Sequence, residues 1–173
     1  MSGVIIRSAT AEDAAAIGKL HAISWRSAYR GLLSDEYLDN DLEGERIRYW
    51  SDKMSSLSGK EFVLLAKEER AIVGFVAVMD KPEKGYDALI DNLHVLPHLK
   101  GKGIGGTLMK AAAGMLRETG RKSVYLWVLK GNAPAAEFYK MKGGKAADES
   151  VDNFGGKMVT ATRFVWPDLI TLS

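Results

Sequence analysis

The run Lys100-Gly101-Lys102-Gly103-Ile104-Gly105-Gly106 lies between an apolar stretch that ends at Val95 and a segment whose apolar residues recur at helical spacing. A helix that starts there leaves its first N–H groups without intrahelical acceptors, and they share the positive end of the helix dipole. Glycine lets a backbone close on an anion and adopt conformations that other residues resist. Lys100 and Lys102 add positive charge. Residues of these types in this order call for a phosphate or pyrophosphate.

Several phosphate sites compete for this reading. Gly101, Gly103 and Gly106 satisfy G-x-G-x-x-G, the fingerprint of a dinucleotide site. That fingerprint expects an acidic residue about 20 positions further on to hold the ribose. Arg121 and Lys122 stand in that region instead. The Gly-Lys-Ser/Thr of a P-loop is also absent. A turn that merely caps a helix needs fewer glycines and no flanking lysines.

The stretch Asn92–Leu108 reads Leu-x-Val-x-Pro, then Lys100-x-x-Gly103-x-Gly105, then a helix. Downstream, Asn132-Ala133-Pro134-Ala135-Ala136-Glu137-Phe138-Tyr139 reads Asn-x-x-Ala-x-x-Phe-Tyr. Together, in this order and spacing, they resemble the two acyl-CoA-binding motifs of the GNAT N-acetyltransferase superfamily. Lys100 departs from the Arg or Gln usual at the first motif position. The resemblance implies acetyl-CoA as the acyl donor, a primary amine as acceptor, and direct transfer in a ternary complex. The cofactor-binding residues it implies are Leu93, His94, Val95, Lys100, Gly101, Lys102, Gly103, Ile104, Gly105, Gly106, Thr107 and Asn132. Leu93 and Val95 would act through backbone groups, as an added strand does.

Tyr139 is the implied catalytic acid. Amine attack on a thioester expels a thiolate, and a phenol within reach can protonate or stabilise it. Taken alone, Asn132 reads as a helix N-cap and Tyr139 as a core aromatic. The amine must also lose a proton, and Asp91, on the strand leading to the turn, is the first candidate base. A solvated carboxylate explains Asp91 equally well. His94 titrates near neutrality but alternates to the face opposite Leu93 and Val95, which favours a structural role. No nucleophilic triad is visible. Trp25 and Tyr29, flanked by Arg26 and Arg30, resemble the part of the first helix that borders the acceptor pocket in a subgroup of the family. Phe154-Gly155-Gly156 and Arg163-Phe164-Val165-Trp166 fit the same subgroup's tail. Core packing explains Trp25 and Tyr29 as well. Glu36, Tyr37 and Asp39 are available to a cationic amine, or simply form a solvated helix face.

Periodicity supplies the elements that must position these groups. Strands are expected at Val4–Arg7, Phe62–Ala66, Ile72–Val78, Ala88–Val95, Val124–Val128, Ala146–Val151 and Met158–Trp166. Thr10 and Asp13 form a capping box for a first helix ending before Gly31. Ser34 opens a second helix, with a kink or break at Gly44. A third helix buries Ile104, Leu108, Ala111, Ala112 and Leu116, and a short fourth runs through Phe138. The crossover from Leu89 to Val128 implies a parallel pair, and the tight turn at Glu68-Glu69-Arg70 an antiparallel one. The fold class is α/β: a mixed central sheet of about seven strands flanked by about four helices, in one GNAT domain over residues 1–173. The substrates would meet where the strands ending at Val95 and Val128 splay apart.

With 173 residues the chain suits one well-cored domain. The net charge of +2 is too small to argue for nucleic acid or membrane. There is no cysteine, so disulfides, thiolate metal sites and a cysteine nucleophile are excluded, and no metal is called for. No window approaches the roughly 20 apolar residues of a membrane span, and Met1–Thr10 lacks a signal-peptide core. A cytoplasmic protein is expected, with a homodimer left open. The alternative function is a non-catalytic acyl-CoA-binding or sensing domain on the same fold.

Overall fold

The computed structural model describes residues 3–154 and 156–172. Gly155 of the Phe154-Gly155-Gly156 segment lies outside the described residues. The elements are β1 (Ile5–Ser8), α1 (Ala14–Tyr29), α2 (Leu42–Ser55), β2 (Phe62–Glu68), β3 (Ala71–Met79), β4 (Ala88–Val95), α3 (Ile104–Glu118), β5 (Val124–Leu129), α4 (Ala133–Met141), β6 (Lys145–Phe154) and β7 (Lys157–Trp166). The strands form a single sheet in the order β1-β2-β3-β4-β5-β7-β6. Among the described residues only β4 and β5 are paired parallel strands of this sheet. The expected mixed α/β architecture of seven strands and four helices is therefore the one observed.

Each face of the sheet carries its own core. On one face Ala14, Ile17 and Leu20 of α1 and Trp50 of α2 pack on Leu65, Phe75, Leu89, Tyr125 and Val165. On the other, Ile104, Leu108, Met109 and Leu116 of α3 and Tyr139 of α4 pack on Val76, Ile90, Leu126, Phe164 and Trp166. Strands covered on both faces must be apolar almost throughout, which is why β3 is buried continuously from Val73 to Met79.

Local signals place the first two helices, with one correction. Thr10 and Asp13 do form a capping box, but they cap a 3₁₀ turn, Ala11–Asp13, that runs directly into α1. Asp13 also holds Arg7 through two 2.8 Å hydrogen bonds, tying the helix start to β1. The second helical segment begins after Ser34, whose Oγ accepts from Tyr37 N at 3.3 Å. Its irregularity is a π-helical turn over Tyr37–Asp41, not a kink at Gly44. Gly44 sits in regular helix, with nothing closer to a built Cβ than Arg48 Nη1 at 3.4 Å. The wider turn lets Leu38 and Leu42 both reach full burial beside Trp25 and Leu33.

Gly18 controls how closely α1 and α2 approach. A Cβ there would stand 2.7 Å from Ile47 Cα and 2.8 Å from Ile47 N, both backbone atoms that cannot swing aside. Gly18→Ala gains helix propensity of up to about 1 kcal/mol but forces the helices apart, an overpacking cost of about 1–3 kcal/mol. The expected net result is a lower melting temperature, by up to several degrees, measured by thermal denaturation. An unchanged or raised Tm would show that α2 yields freely.

The parallel β4–β5 ladder pairs only Ala88 with Val124 and Leu89 with Tyr125. Beyond those pairs the strands diverge, and β5 goes on pairing with β7 as far as Leu129. A slot opens in the middle of the sheet, where the sequence places the meeting of the substrates.

Candidate active site

Asp91 owes its orientation to a β-bulge. On β3, Ala77 faces Asn92 and the next residue, Val78, faces Ile90, so Asp91 is the extra residue on β4. A bulge shifts the inside-outside alternation by one. Ile90, Leu93 and Val95 consequently all lie on the α3 face, while Asp91 turns to the α2 face and accepts from Tyr49 Oη at 3.3 Å. Asn92 Nδ2 donates to the same carboxylate oxygen at 3.1 Å. Asp91 is open to water, with protein crowding its carboxylate. Burial raises its pKa above the ordinary carboxylate value, more than Tyr49, Lys53, Lys81 and Arg46 lower it.

His94 turns away from the slot. Its Nδ1 lies 2.8 Å from Ser24 Oγ, and its ring stacks at 4.5 Å on His21. Burial, with Lys100 and Arg46 nearby, pushes its pKa down to about 3. A neutral imidazole of such low basicity is a poor proton acceptor, and the structural reading of the side chain is the one its contacts support.

The glycine turn has the geometry of an anion cradle. Gly101 and Gly103 take φ of +79° and +86°, which side chains rarely adopt. Gly103 is the N-cap of α3, with no side chain capping it. As first residues of α3, Ile104, Gly105 and Gly106 have N–H groups with no intrahelical acceptor. Nothing lies within 4 Å of where a Cβ on Gly101 or Gly103 would stand. Lys100 and Lys102 are exposed beside it, and Thr107 Oγ1 donates back to Gly103 O at 3.0 Å, steadying the first turn. These features fit a pyrophosphate.

One basic residue of the cradle was not foreseen. A Cβ on Gly106 would fall 2.8 Å from Lys142 Nζ, and one on Gly105 would fall 3.2 Å from Phe138 Cζ. The paired glycines let α4 press against the start of α3 and bring Lys142 to the cradle. A groove of about 530 Å³ runs from Gly103, Gly106 and Thr107 to Lys110 and Lys142. Lys142 lies just past the end of α4, where no local spacing marks it.

Asn132 and Tyr139 of α4 come together with Tyr29 of α1. Asn132 caps α4, its Oδ1 accepting from Ala135 N at 3.4 Å, and burial raises the Tyr29 pKa more than the nearby Asn132 side chain lowers it. Tyr139 is buried, with Phe138, Phe164 and Trp166 rings around it at 5.3, 6.2 and 6.0 Å. Burial raises its pKa, and the neighbouring Tyr29 adds to the rise. Trp25 is mostly core. It packs on Phe154 at 4.5 Å and on Tyr29 at 5.6 Å, under the guanidinium of Arg46. Tyr49 and Arg46 complete this side, and neither was singled out by sequence.

A slot between parallel strands, an anion cradle after one of them, and a phenol and a carboxylate on opposite sheet faces suit an acyl-transferase site. The profile described as the Acetyltransferase (GNAT) family matches residues 19–143. The chain belongs to that family, and it is an acyltransferase. It is 28% identical to the uncharacterised N-acetyltransferase YuaI of Bacillus subtilis over 171 residues, 98% of this chain and 96% of that one. It is 26% identical to a spermidine N(1)-acetyltransferase of Thermoplasma acidophilum over 155 residues, 86% of this chain and 92% of that one. Among solved structures, the PaiA N-acetyltransferase of Thermoplasma acidophilum in complex with coenzyme A superposes with a TM-score of 0.71. That match has 22% identity and covers 92% of this chain and 98% of the other.

Proposed function

We propose that this chain, as a single domain, transfers an acetyl group from acetyl-CoA to a primary amine by direct attack in a ternary complex. The observation that carries the proposal is the split of β4 from β5 beyond Leu89, with the glycine turn following β4, Asp91 on the α2 face and Tyr139 in the core of the α3 face. Bound acetyl-CoA supplies a thioester, an acyl group already activated toward amines. The backbone amides from Gly101 to Gly106 hold the pyrophosphate, with Lys100, Lys102 and Lys142 adding charge. The unpaired edge of β4 at Leu93 and Val95 offers backbone groups to the pantetheine arm. Asp91 takes the proton from the amine, directly or through water, and Tyr139 Oη offers its hydrogen to the leaving sulfur. The acceptor approaches from the side of Tyr29 and Tyr49.

The coenzyme A bound by the PaiA relative supports the choice of donor. A pure binding domain has no need of Tyr139, and the spermidine acetyltransferase brings a polyamine acceptor into consideration. The test is a panel of amines offered with acetyl-CoA while free thiol is followed. Thiol release with at least one amine is expected. CoA binding without turnover of any amine would favour the binding domain, and binding of NAD but not CoA would overturn the reading.

Asp91→Asn separates a catalytic carboxylate from a structural one. The rate is expected to fall by about 10²–10⁴-fold. Because the folded-state pKa of Asp91 is raised, the native state holds its proton more firmly than the unfolded state. Stability contributed by this group therefore falls as pH rises from the unfolded value through the folded one. The ionised carboxylate carries this penalty, and asparagine removes it while still accepting from Tyr49. A slower enzyme with an equal or higher Tm is the expected outcome. A stable variant with full activity would remove Asp91 from the mechanism.

A further inference from the structure

Cations dominate the surroundings of Asp91. Arg46, Lys53 and Lys81 all act on its carboxylate, and Arg46 is the most firmly held. Its guanidinium carbon lies 5.0 Å from the centre of the Trp25 ring and 4.7 Å from that of Tyr49. Nη2 donates to Glu45 Oε1 at 2.7 Å, while the buried Nε has no partner among the described residues. Two rings and one carboxylate fix the plane of a group suited to gripping a second carboxylate. Tyr49 links it to the base: Arg46 lies on the ring, and the hydroxyl donates to Asp91 at 3.3 Å.

The carboxylates nearest these cations are already engaged. Glu45 faces Arg46 at 2.7 Å and Glu61 faces Lys53 at 3.7 Å. Asp39, once available to a cationic amine, is held by Arg30 at 2.8 Å. Further along the same face, Asp148 and Glu83 meet the buried Arg163 at 2.9 and 3.3 Å. A polyamine would bring several positive charges into a field where the carboxylates beside Arg46 and Lys53 are already paired. An acceptor that carries its own anion would relieve the field.

We propose that the acceptor is a short amino acid, its amine directed at Asp91 and its carboxylate held by Arg46. Both groups touch the same phenol, so amine and carboxylate must also lie close together in the substrate, as in α- and β-amino acids. The guanidinium fork takes a carboxylate through paired N–H···O bonds. Arg46 is thereby a specificity-determining residue. This inference rests on the acyl-transfer reading above and names its acceptor class.

The test compares matched pairs with acetyl-CoA: phenylalanine against phenethylamine, leucine against isoamylamine, and spermidine beside both. CoA binding to the same preparation is measured by calorimetry. Each amino acid is expected to exceed its decarboxylated partner in kcat/KM by about tenfold or more. Arg46→Gln should raise KM for the amino acid by a similar factor, leave CoA affinity near wild type, and erase the discrimination. Arg46→Lys should recover part of it. If Arg46→Gln fails to fold, the wild-type pairs decide alone. Equal or better turnover of the decarboxylated amines, or a preference for spermidine, overturns the proposal while leaving the acyl-transfer reading intact. A wild type that binds CoA yet acetylates no amine overturns both.

Discussion

Tyr139→Phe is expected to lower kcat by about 10²–10⁴-fold while changing neither Tm nor CoA affinity appreciably. The ring is held by Phe138, Phe164 and Trp166, and phenylalanine keeps those contacts. Only the hydroxyl leaves. The raised pKa decides how that hydroxyl works. A phenol normally titrates near pH 10 and a thiol near 8.5, and burial with Tyr29 alongside moves Tyr139 still further upward. Complete proton transfer from such a phenol to a thiolate runs uphill. A hydrogen bond to the sulfur as charge develops there is the contribution it can make, in the manner of an oxyanion-hole donor. Two outcomes follow for the pH profile. The wild-type rate should not decline through deprotonation of Tyr139 below about pH 10, because raising the pKa keeps the phenol protonated to higher pH. The acid limb should be the same in wild type and Tyr139→Phe, since it belongs to another group. A basic limb near neutrality that disappears in the variant would show that Tyr139 titrates and acts as a full acid.

What the residues reveal in linear order is whatever depends on neighbours in the chain. The cradle was legible because glycine followed by a helix start is a local demand, and Gly103 meets it with its φ of +86°. Asn132 and Tyr139 were legible because N-cap and buried aromatic stand at fixed places on one short helix. The face to which Asp91 points was not, because it depends on a bulge opposite Ala77 and Val78, on another strand. Plain alternation puts Asp91 on the same face as Leu93 and Val95; the bulge sends it to Tyr49. Tyr49 and Arg46 were missed for a related reason. Their orientation follows from the π turn at Tyr37–Asp41 and from the close approach of α2 to Gly18. The irregularity had been placed at Gly44, since a glycine is visible in sequence and a π turn is not. Lys142 is marked only by Gly106, which makes room for its ammonium from a different helix.

Gly103→Val should lower CoA affinity by about a hundredfold or more, measured by calorimetry, with the chain still folded. Two separate effects produce the loss. Valine at φ of +86° is strained by about 1–3 kcal/mol, so the turn will rotate away from the conformation that directs its N–H groups outward. If the turn holds instead, the side chain occupies the open space above the cradle, where nothing of the protein lies within 4 Å of a Cβ. That openness distinguishes Gly103 from Gly144, whose Cβ would meet Trp166 Cζ2 at 2.6 Å and would damage the core. Lys100→Ala and Lys102→Ala should behave differently. Both side chains are exposed, exposed charges contribute about 0.2–1 kcal/mol each, and the resulting loss of a few-fold should shrink further as salt is added. Backbone N–H groups at a helix start lose much less of their effect to salt than flexible surface ammonium groups do. Equal, small losses in all three variants would mean that the pyrophosphate is held elsewhere. A steep loss confined to Gly103→Val would mean that the anion is bound mainly by the main chain, which explains why lysine can stand at position 100 in place of the usual arginine or glutamine.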